Sequence, residues 1–358
     1  MTVSDMHGRI AAASALLKKG GVVAFPTETV YGLGAEVCNP SAVQRIFEIK
    51  GRPSDHPLIV HVADSSKLRY WAEDVPEQAW RLAEHFWPGP LTLILPRSHR
   101  IPENVTGGQG TVGLRVPAHP VALALLDALG PEGALAAPSA NRFGHVSPTT
   151  AAHVREELGD SVDMILDGGP CEVGLESTIV GFEGPHIRKG TEKDSRAVIL
   201  RPGGISLAAL AEVLDGKVVL AKKADRTLRV PGALASHYAP STPLELLSSE
   251  YLPRRALELE ERGLHLALVT WSAPCAAELN HGKKSAIFHF PMPPEPENYG
   301  RLLYATLRRL DHEGFDCLLI EAPPDEPGWI AVADRLRRAS YIDGTDVLKN
   351  STNEAVYG

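Results

Sequence analysis

The sequence predicts an α/β protein of two domains, a layered one of about 200 residues and a smaller one of about 100. Three observations predict this. The chain has 358 residues, which is long for one ordinary core. Short apolar runs alternate with amphipathic helix patterns up to residue 214, and the alternation resumes at residue 244. Between them lies the polar stretch KKADRTLRVPGALASHYAPSTP, with few periodic apolar positions and a basic run.

Ser4–Lys19 reads as an amphipathic helix stopped by Gly20 and Gly21, and Val22–Phe25 as a strand. Ser41–Ile49 sets Val43, Ile46 and Phe47 on one helix face, and Gly51 lies just beyond. Pro57–Val62 is a strand, and Pro76–Phe86 a helix stopped by WPGP. Leu91–Leu95 and Val112–Val116 are strands, Pro120–Leu129 is a helix, and the short strand Leu135–Ala137 leads into PSAN. Thr150–Leu158 is a helix. Met164–Leu166, Ser177–Val180 and Val198–Leu200 are strands ahead of the helix Leu207–Leu214. In the smaller domain, Leu244–Leu247, Leu266–Thr270, Ala286–Phe290 and Cys317–Glu321 read as strands, and Tyr299–His312 and Ile330–Ala339 as helices. The expected boundaries are 1–216, a linker over 217–241, a second domain over 242–347 and a tail over 348–358.

Composition narrows the function classes. Hydrophobic residues make up 44% and charged residues 22%, as in ordinary globular chains. Lys and Arg total 36 against 44 Asp and Glu, a net charge of −8. Proteins that grip nucleic-acid backbone usually carry the opposite sign, so no stable direct nucleic-acid binding is expected. Cys38, Cys171, Cys275 and Cys317 form no CxxC pair, which argues against a zinc or redox motif. With no basic-then-apolar leader and no apolar run of spanning length, a soluble, cytoplasmic protein without membrane contact is expected.

Three tempting motifs fail. Gly108, Gly110 and Gly113 spell GxGxxG, but a dinucleotide fingerprint follows a strand and opens a helix, whereas these precede a strand. HGKKS at 281–285 lacks the first glycine of a P-loop. No HxxxH pair supports a metal site.

Four clusters hold together, each at the end of an element. PTETVYGLG crowds Thr27, Glu28, Thr29 and Tyr31 in behind a strand. A turn needs only glycine or proline, and ligands of α/β sheets bind beyond strand ends, so a ligand loop is favoured over a plain turn. KGRPSDHPLIVHV holds Lys50 and Arg52 side by side across Gly51, with His61 in the next strand. Compensation of a helix dipole explains such cations, and so does a phosphate chain, gripped by a planar fork and a point charge. TVGLRVPAHP carries Arg115 inside an apolar strand, equally readable as an outward edge residue. APSANRFGHVSPTT places Ser139 and Asn141 after a short strand, where turn formation and ligand hydrogen bonding both suit them. LESTIV, ILRPGG and HYAP add Ser177, Thr178, Arg201, His237 and Tyr238.

Taken in order, these clusters over residues 7–215 resemble the YrdC-like family, the threonylcarbamoyl-AMP synthases. Lys50 with Arg52 and Ser139 with Asn141 match its KxR and SxN elements, and PGALASHYAP with the second domain resembles its longer members. The resemblance implies a twisted mixed sheet flanked by helices, a smaller Rossmann-like α/β domain, and a linker closing over the active site. It implies that L-threonine, bicarbonate or CO2, and ATP give threonylcarbamoyl-AMP and pyrophosphate. A separate transferase complex would then modify tRNA beside the anticodon. Thr29, His61, Arg115, Ser139 and Ser177 would contact threonine. Lys50, Arg52, His56, Thr111, Asn141, Thr149, Arg201 and Tyr238 would contact ATP, with Lys50 and Arg52 also serving catalysis. Mg2+ would escort the triphosphate without a protein metal site. Two departures stand out. His56 replaces the family's usual Asn, and the segment over 182–197 is longer than usual. A non-catalytic RNA-binding module is the alternative, disfavoured by the net charge. A serine hydrolase lacks a GxSxG elbow.

Overall fold

The computed structural model describes residues 3–183, 196–221, 228–232, 237–272 and 285–340. The long 182–197 segment and the tail over 348–358 therefore fall mostly or wholly outside the described residues, as does Cys275. The chain divides into two units, Met1–Phe143 with Ser147–Ala233, and Gly144–Val146 with Leu234–Gly358.

The first unit is built on a ten-stranded sheet. In chain order its strands are β1 Val23–Phe25, β2 Gly32–Glu36, β3 Ile59–Val62, β4 Leu91–Pro96 and β5 Thr111–Arg115, followed by β6 Ala134–Ala136, β7 Met164–Ile165, β8 Thr178–Glu183, β9 Arg196–Arg201 and β10 Val218–Leu220. Across the sheet they run β10-β9-β8-β4-β5-β3-β6-β2-β1-β7. Parallel pairs such as β3 with β5 and antiparallel pairs such as β3 with β6 make it the expected mixed sheet.

Period-two patterning gives the sheet two apolar faces. Val23 and Phe25 pack with Ala13 and Leu17 of the Val3–Lys18 helix and Leu125 and Leu126 of the Pro120–Leu129 helix. Ala24, between them, packs on the other side with Val43, Ile46 and Phe47 of the Pro40–Lys50 helix. Each fully buried side chain of this size contributes about 1.5–3 kcal/mol. Asn39 caps the Pro40–Lys50 helix by accepting from the Ala42 amide at 3.1 Å, and Gly51 ends it in the left-handed region at φ 61°. This fixes where Lys50 and Arg52 emerge.

Two strands escape sequence reasoning. The first is β2, whose GLGAE reads as a turn because two of its residues are glycine. The glycines answer a packing need: a Cβ on Gly34 would stand 2.8 Å from Cε1 of Phe25, the β1 residue whose register partner is Gly32. The second is β10, three residues inside the expected linker, which extends the sheet parallel to β9. The first unit thus runs past residue 216 to Ala233, since a three-residue edge strand is too short to show a period.

The second unit has four parallel strands, β11 Leu244–Leu247, β12 Leu266–Thr270, β13 Ile287–Pro291 and β14 Cys317–Glu321, in the order β11-β14-β12-β13. Helices Pro296–Asp311 and Ile330–Ala339 match expectation. The helix Leu252–Glu261, not anticipated, buries Leu252, Ala256 and Leu259 on one face. Glu321 is fully buried at the end of β14. Its carboxylate accepts from the Ser249 and Ser272 hydroxyls and from the Trp271 and Ser272 amides, tying three strand ends together. Among the described residues, no helix is long and apolar enough to cross a membrane.

The Gly34 contact sets the first test. Gly34→Ala should destabilise the first unit by about 1–3 kcal/mol, because the Phe25 ring is locked in the core. Gly110→Ala, whose new Cβ would meet nothing within 4 Å, should unfold with the wild type in a thermal melt.

Candidate active site

The polar turn after β1 folds on itself. Thr27 Oγ1 lies 2.8 Å from Thr29 Oγ1, donates to the Val30 carbonyl at 2.7 Å, and accepts from the Thr29 amide at 3.2 Å. The turn is then tied to its surroundings through the backbone. The Tyr31 amide donates to Pro148 O at 2.9 Å, the Ala140 amide to Tyr31 O at 2.8 Å, and the Val173 amide to Glu28 O at 2.8 Å. The Tyr31 hydroxyl donates to Gly169 O at 2.8 Å, and burial raises its pKa, so it stays a neutral phenol. These bonds draw the turn, the SxN loop and the loops around residues 148 and 173 into one region.

Arg115 ends β5 beside His61 of β3, and the two are register partners. Arg115 is an inward residue, only 4% exposed, which settles the two readings its strand position left open. Its Nη2 donates to Glu28 Oε1 at 2.6 Å and to Thr29 Oγ1 at 2.9 Å, and its Nε donates to Gly89 O at 3.3 Å. His61 is 3% exposed and meets the Phe25 ring edge-to-face at 5.9 Å between centroids. Its Nδ1 is buried with no hydrogen-bond partner. Its pKa is pushed down to about 3, chiefly by burial and then by the Arg115 charge, so the imidazole is neutral at physiological pH.

The KxR and SxN elements meet. Lys50 Nζ donates to the Ser139 carbonyl at 2.6 Å and to the Asn141 carbonyl, and the Phe143 amide donates back to Lys50 O at 2.8 Å. Burial, and then the neighbouring Arg52 charge, hold the Lys50 pKa well below the ordinary lysine range. Arg52 donates to Pro57 O at 2.9 Å and lies 5.7 Å from the Phe143 ring centroid. His56 meets the same ring edge-to-face at 5.2 Å, and burial followed by the Arg52 charge lowers its pKa. Thr111 opens β5. Carrying the β3–β5 register two residues back puts position 111 opposite Pro57, at the Arg52 end and about 13 Å along the strand from Arg115.

Ser177 and Arg201 also pair. Arg201 Nη2 donates to Ser177 O at 2.8 Å and to Ser177 Oγ at 3.1 Å, and Nη1 donates to Pro231 O at 3.0 Å. Thr149 is buried, with its hydroxyl 3.4 Å from His153 Nδ1. Tyr238 belongs to the second unit, 1% exposed, stacked on Tyr304 at 5.7 Å with the Arg335 guanidinium 5.0 Å from its ring.

Several buried polar side chains here had no role in the sequence reading. Thr92 shares a 2.8 Å hydrogen bond with Ser177, and Ser147 donates to Glu176 Oε1 at 2.7 Å. Glu28, which the sequence reading placed in the first cluster without a partner, pairs with Arg115. The available signal was the polar residue inside an apolar strand or beside a predicted site residue, as with Thr92 in LTLIL and Glu176 in LEST.

Relatives carry both units. A family model described as Telomere recombination matches residues 15–203, and one described as Threonylcarbamoyl-AMP synthase, C-terminal domain, matches residues 205–340. The chain belongs to the threonylcarbamoyl-AMP synthase family. It is 39% identical to the threonylcarbamoyl-AMP synthase of Pyrococcus abyssi over 93% of this chain and 94% of that protein. It is 39% identical to the Bacillus subtilis enzyme over 94% of each. The crystal structure of P. abyssi Sua5 complexed with L-threonine superposes with a TM-score of 0.81 at 37% identity, covering 93% of this chain and 94% of that one.

His61 gives a pH test. Its folded pKa lies below the unfolded value near 6.5, so the unfolded chain binds the extra proton between about pH 3 and 6.5. This contribution is fully present above about pH 6.5 and is lost as pH falls through the window. In His61→Gln that part of the pH dependence should vanish. Denaturant midpoints at pH 4.5 and 7.5 read it, and equal pH dependence in both proteins would show that the fold does not hold His61 neutral.

Proposed function

We propose that the first unit joins L-threonine, bicarbonate or CO2, and ATP into threonylcarbamoyl-AMP, releasing pyrophosphate. The reading rests above all on one observation. Buried cations stand at two places in one connected set of loops, Arg115 beside His61 and Thr29, and Lys50 with Arg52 beside Ser139 and Asn141. The match of both units to synthases over nearly their whole length supports it.

The chemistry needs no covalent enzyme intermediate. The threonine amine, as the free base, attacks CO2 and loses a proton to give a carbamate. A carbamate oxygen attacks the α-phosphorus, and the bond to the departing pyrophosphate breaks. Catalysis is then positioning and charge stabilisation. Arg115, Thr29, His61, Ser139 and Ser177 take threonine in this reading. Arg52, His56, Thr111, Asn141, Thr149 and Arg201 take ATP. Lys50, with two donors committed to loop carbonyls, holds the SxN loop beside Arg52 on the phosphate side. Among the described residues no group of three His, Cys, Asp or Glu could cage a metal. Mg2+ fits here as an ion carried on ATP phosphates and water, supplying charge neutralisation. The product is proposed to serve threonylcarbamoyladenosine formation in tRNA through a separate cytoplasmic transferase.

Pyrophosphate release from ATP by the full chain should require threonine and bicarbonate together. Release that is equal without threonine, or with any amino acid, rejects the reading. Arg52→Ala removes a charged donor and should lower adenylate formation by about one to two orders of magnitude. Full activity in that variant would remove Arg52 from the phosphate site.

A further inference from the structure

We infer that Glu28 is a positioning residue for threonine recognition: it holds the Arg115 guanidinium in the one orientation that presents its Nη1 donors to the substrate carboxylate. This deepens the proposed function and rests on it.

The geometry is specific. Both side chains are buried, Glu28 at 6% and Arg115 at 5% exposure. Glu28 spends its two oxygens on different partners. Oε1 accepts from Arg115 Nη2 at 2.6 Å, and Oε2 accepts from the Ala118 amide at 3.0 Å. The Glu28 main chain is itself anchored, since its carbonyl accepts from the Val173 amide at 2.8 Å. Apart from the arginine, Glu28 is therefore held at two points, its carboxylate by the Ala118 amide and its main chain by the Val173 amide. Arg115 is in turn held on two further sides, by Thr29 Oγ1 on Nη2 and by Gly89 O on Nε.

The consequence follows from the donor count. A guanidinium has five N–H donors in a rigid plane. The contacts to Glu28, Thr29 and Gly89 engage Nη2 and Nε and fix that plane. A carboxylate ligand of the amino-acid class then meets an arginine with no rotamer freedom left to lose on binding. Glu28 also offsets the charge of Arg115 while the pair is buried, so the arginine keeps its place before substrate arrives. A Gln at position 28 has the same shape but lacks the charge and one acceptor. Its amide nitrogen would face either the Ala118 N–H or the Arg115 N–H, donor against donor.

The test uses the full-length protein with Glu28→Gln and two ligands, L-threonine and L-threoninol, which replaces the carboxylate by an alcohol. Wild-type activity dependent on threonine is the control, and its failure rejects the proposed function, not the role of Glu28. In the variant the KM for threonine should rise about tenfold or more, with the KM for ATP within about twofold of wild type. Binding of L-threoninol, measured by calorimetry, should be as weak in the variant as in wild type. Glu28→Asp keeps the charge but cannot span both partners; it should show the same selective loss, smaller in size, and it carries the test if Glu28→Gln does not fold. An unchanged threonine KM overturns the inference. So does an equal loss for threonine, ATP and threoninol, which is what a merely structural role would produce.

Discussion

A buried lysine amine holds two distant parts of the first unit together. Lys50 ends the Pro40–Lys50 helix, and its Nζ donates to the carbonyls of Ser139 and Asn141, about 90 residues on. An amine out of water is costly unless its donors are satisfied, so the loop after β6 has to bring those two carbonyls to it. The Phe143 amide returns a bond to the Lys50 carbonyl, which closes the contact from both sides. The helix cap at Asn39 and the left-handed Gly51 set where Lys50 stands, and Lys50 sets where the SxN loop stands. Arg52 and His56 then lie against Phe143, two residues past Asn141 in that loop.

The charge arrangement follows the same logic. Among the described residues of the first unit, Lys50, Arg52, Arg115 and Arg201 are buried, against two buried carboxylates, Glu28 and Glu176. These basic side chains donate to backbone carbonyls at Ser139, Asn141, Pro57, Gly89, Ser177 and Pro231. Carbonyls orient a cation without cancelling its charge. The result is a preorganised positive field, suited to an amino-acid carboxylate and a triphosphate and needing little rearrangement as charge moves during the reaction. His61 fits beside it because a neutral imidazole adds no further positive charge next to Arg115.

Much of this was legible in the chain. The alternation of apolar runs and helical faces gave most of the elements, because burial on one face imposes a period of 2 or 3.6 on any strand or helix. The clusters at Thr29, Lys50, Arg52, Arg115, Ser139 and Asn141 stood out as polar or charged residues at the ends of apolar elements. The misses are equally physical. Strand β2 was hidden by glycines required by a ring on its neighbour, and β10 by its length. The helix Leu252–Glu261 carries its apolar residues at a regular spacing, 252, 256 and 259, within a dense run of charge.

Sequence by itself determined the fold class, the family resemblance and the residue types at the site, since these are local or follow from order along the chain. Tertiary structure alone decided which polar groups satisfy one another. Glu28 meets Arg115 across 87 positions, Thr92 meets Ser177 across 85, and Lys50 meets Ser139 across 89. It also decided that Arg115 points inward and that β10 extends the sheet. A buried hydrogen bond or ion pair leaves no period in the sequence. Its partners are chosen by the register of strands and the path of loops, and only the folded chain fixes those.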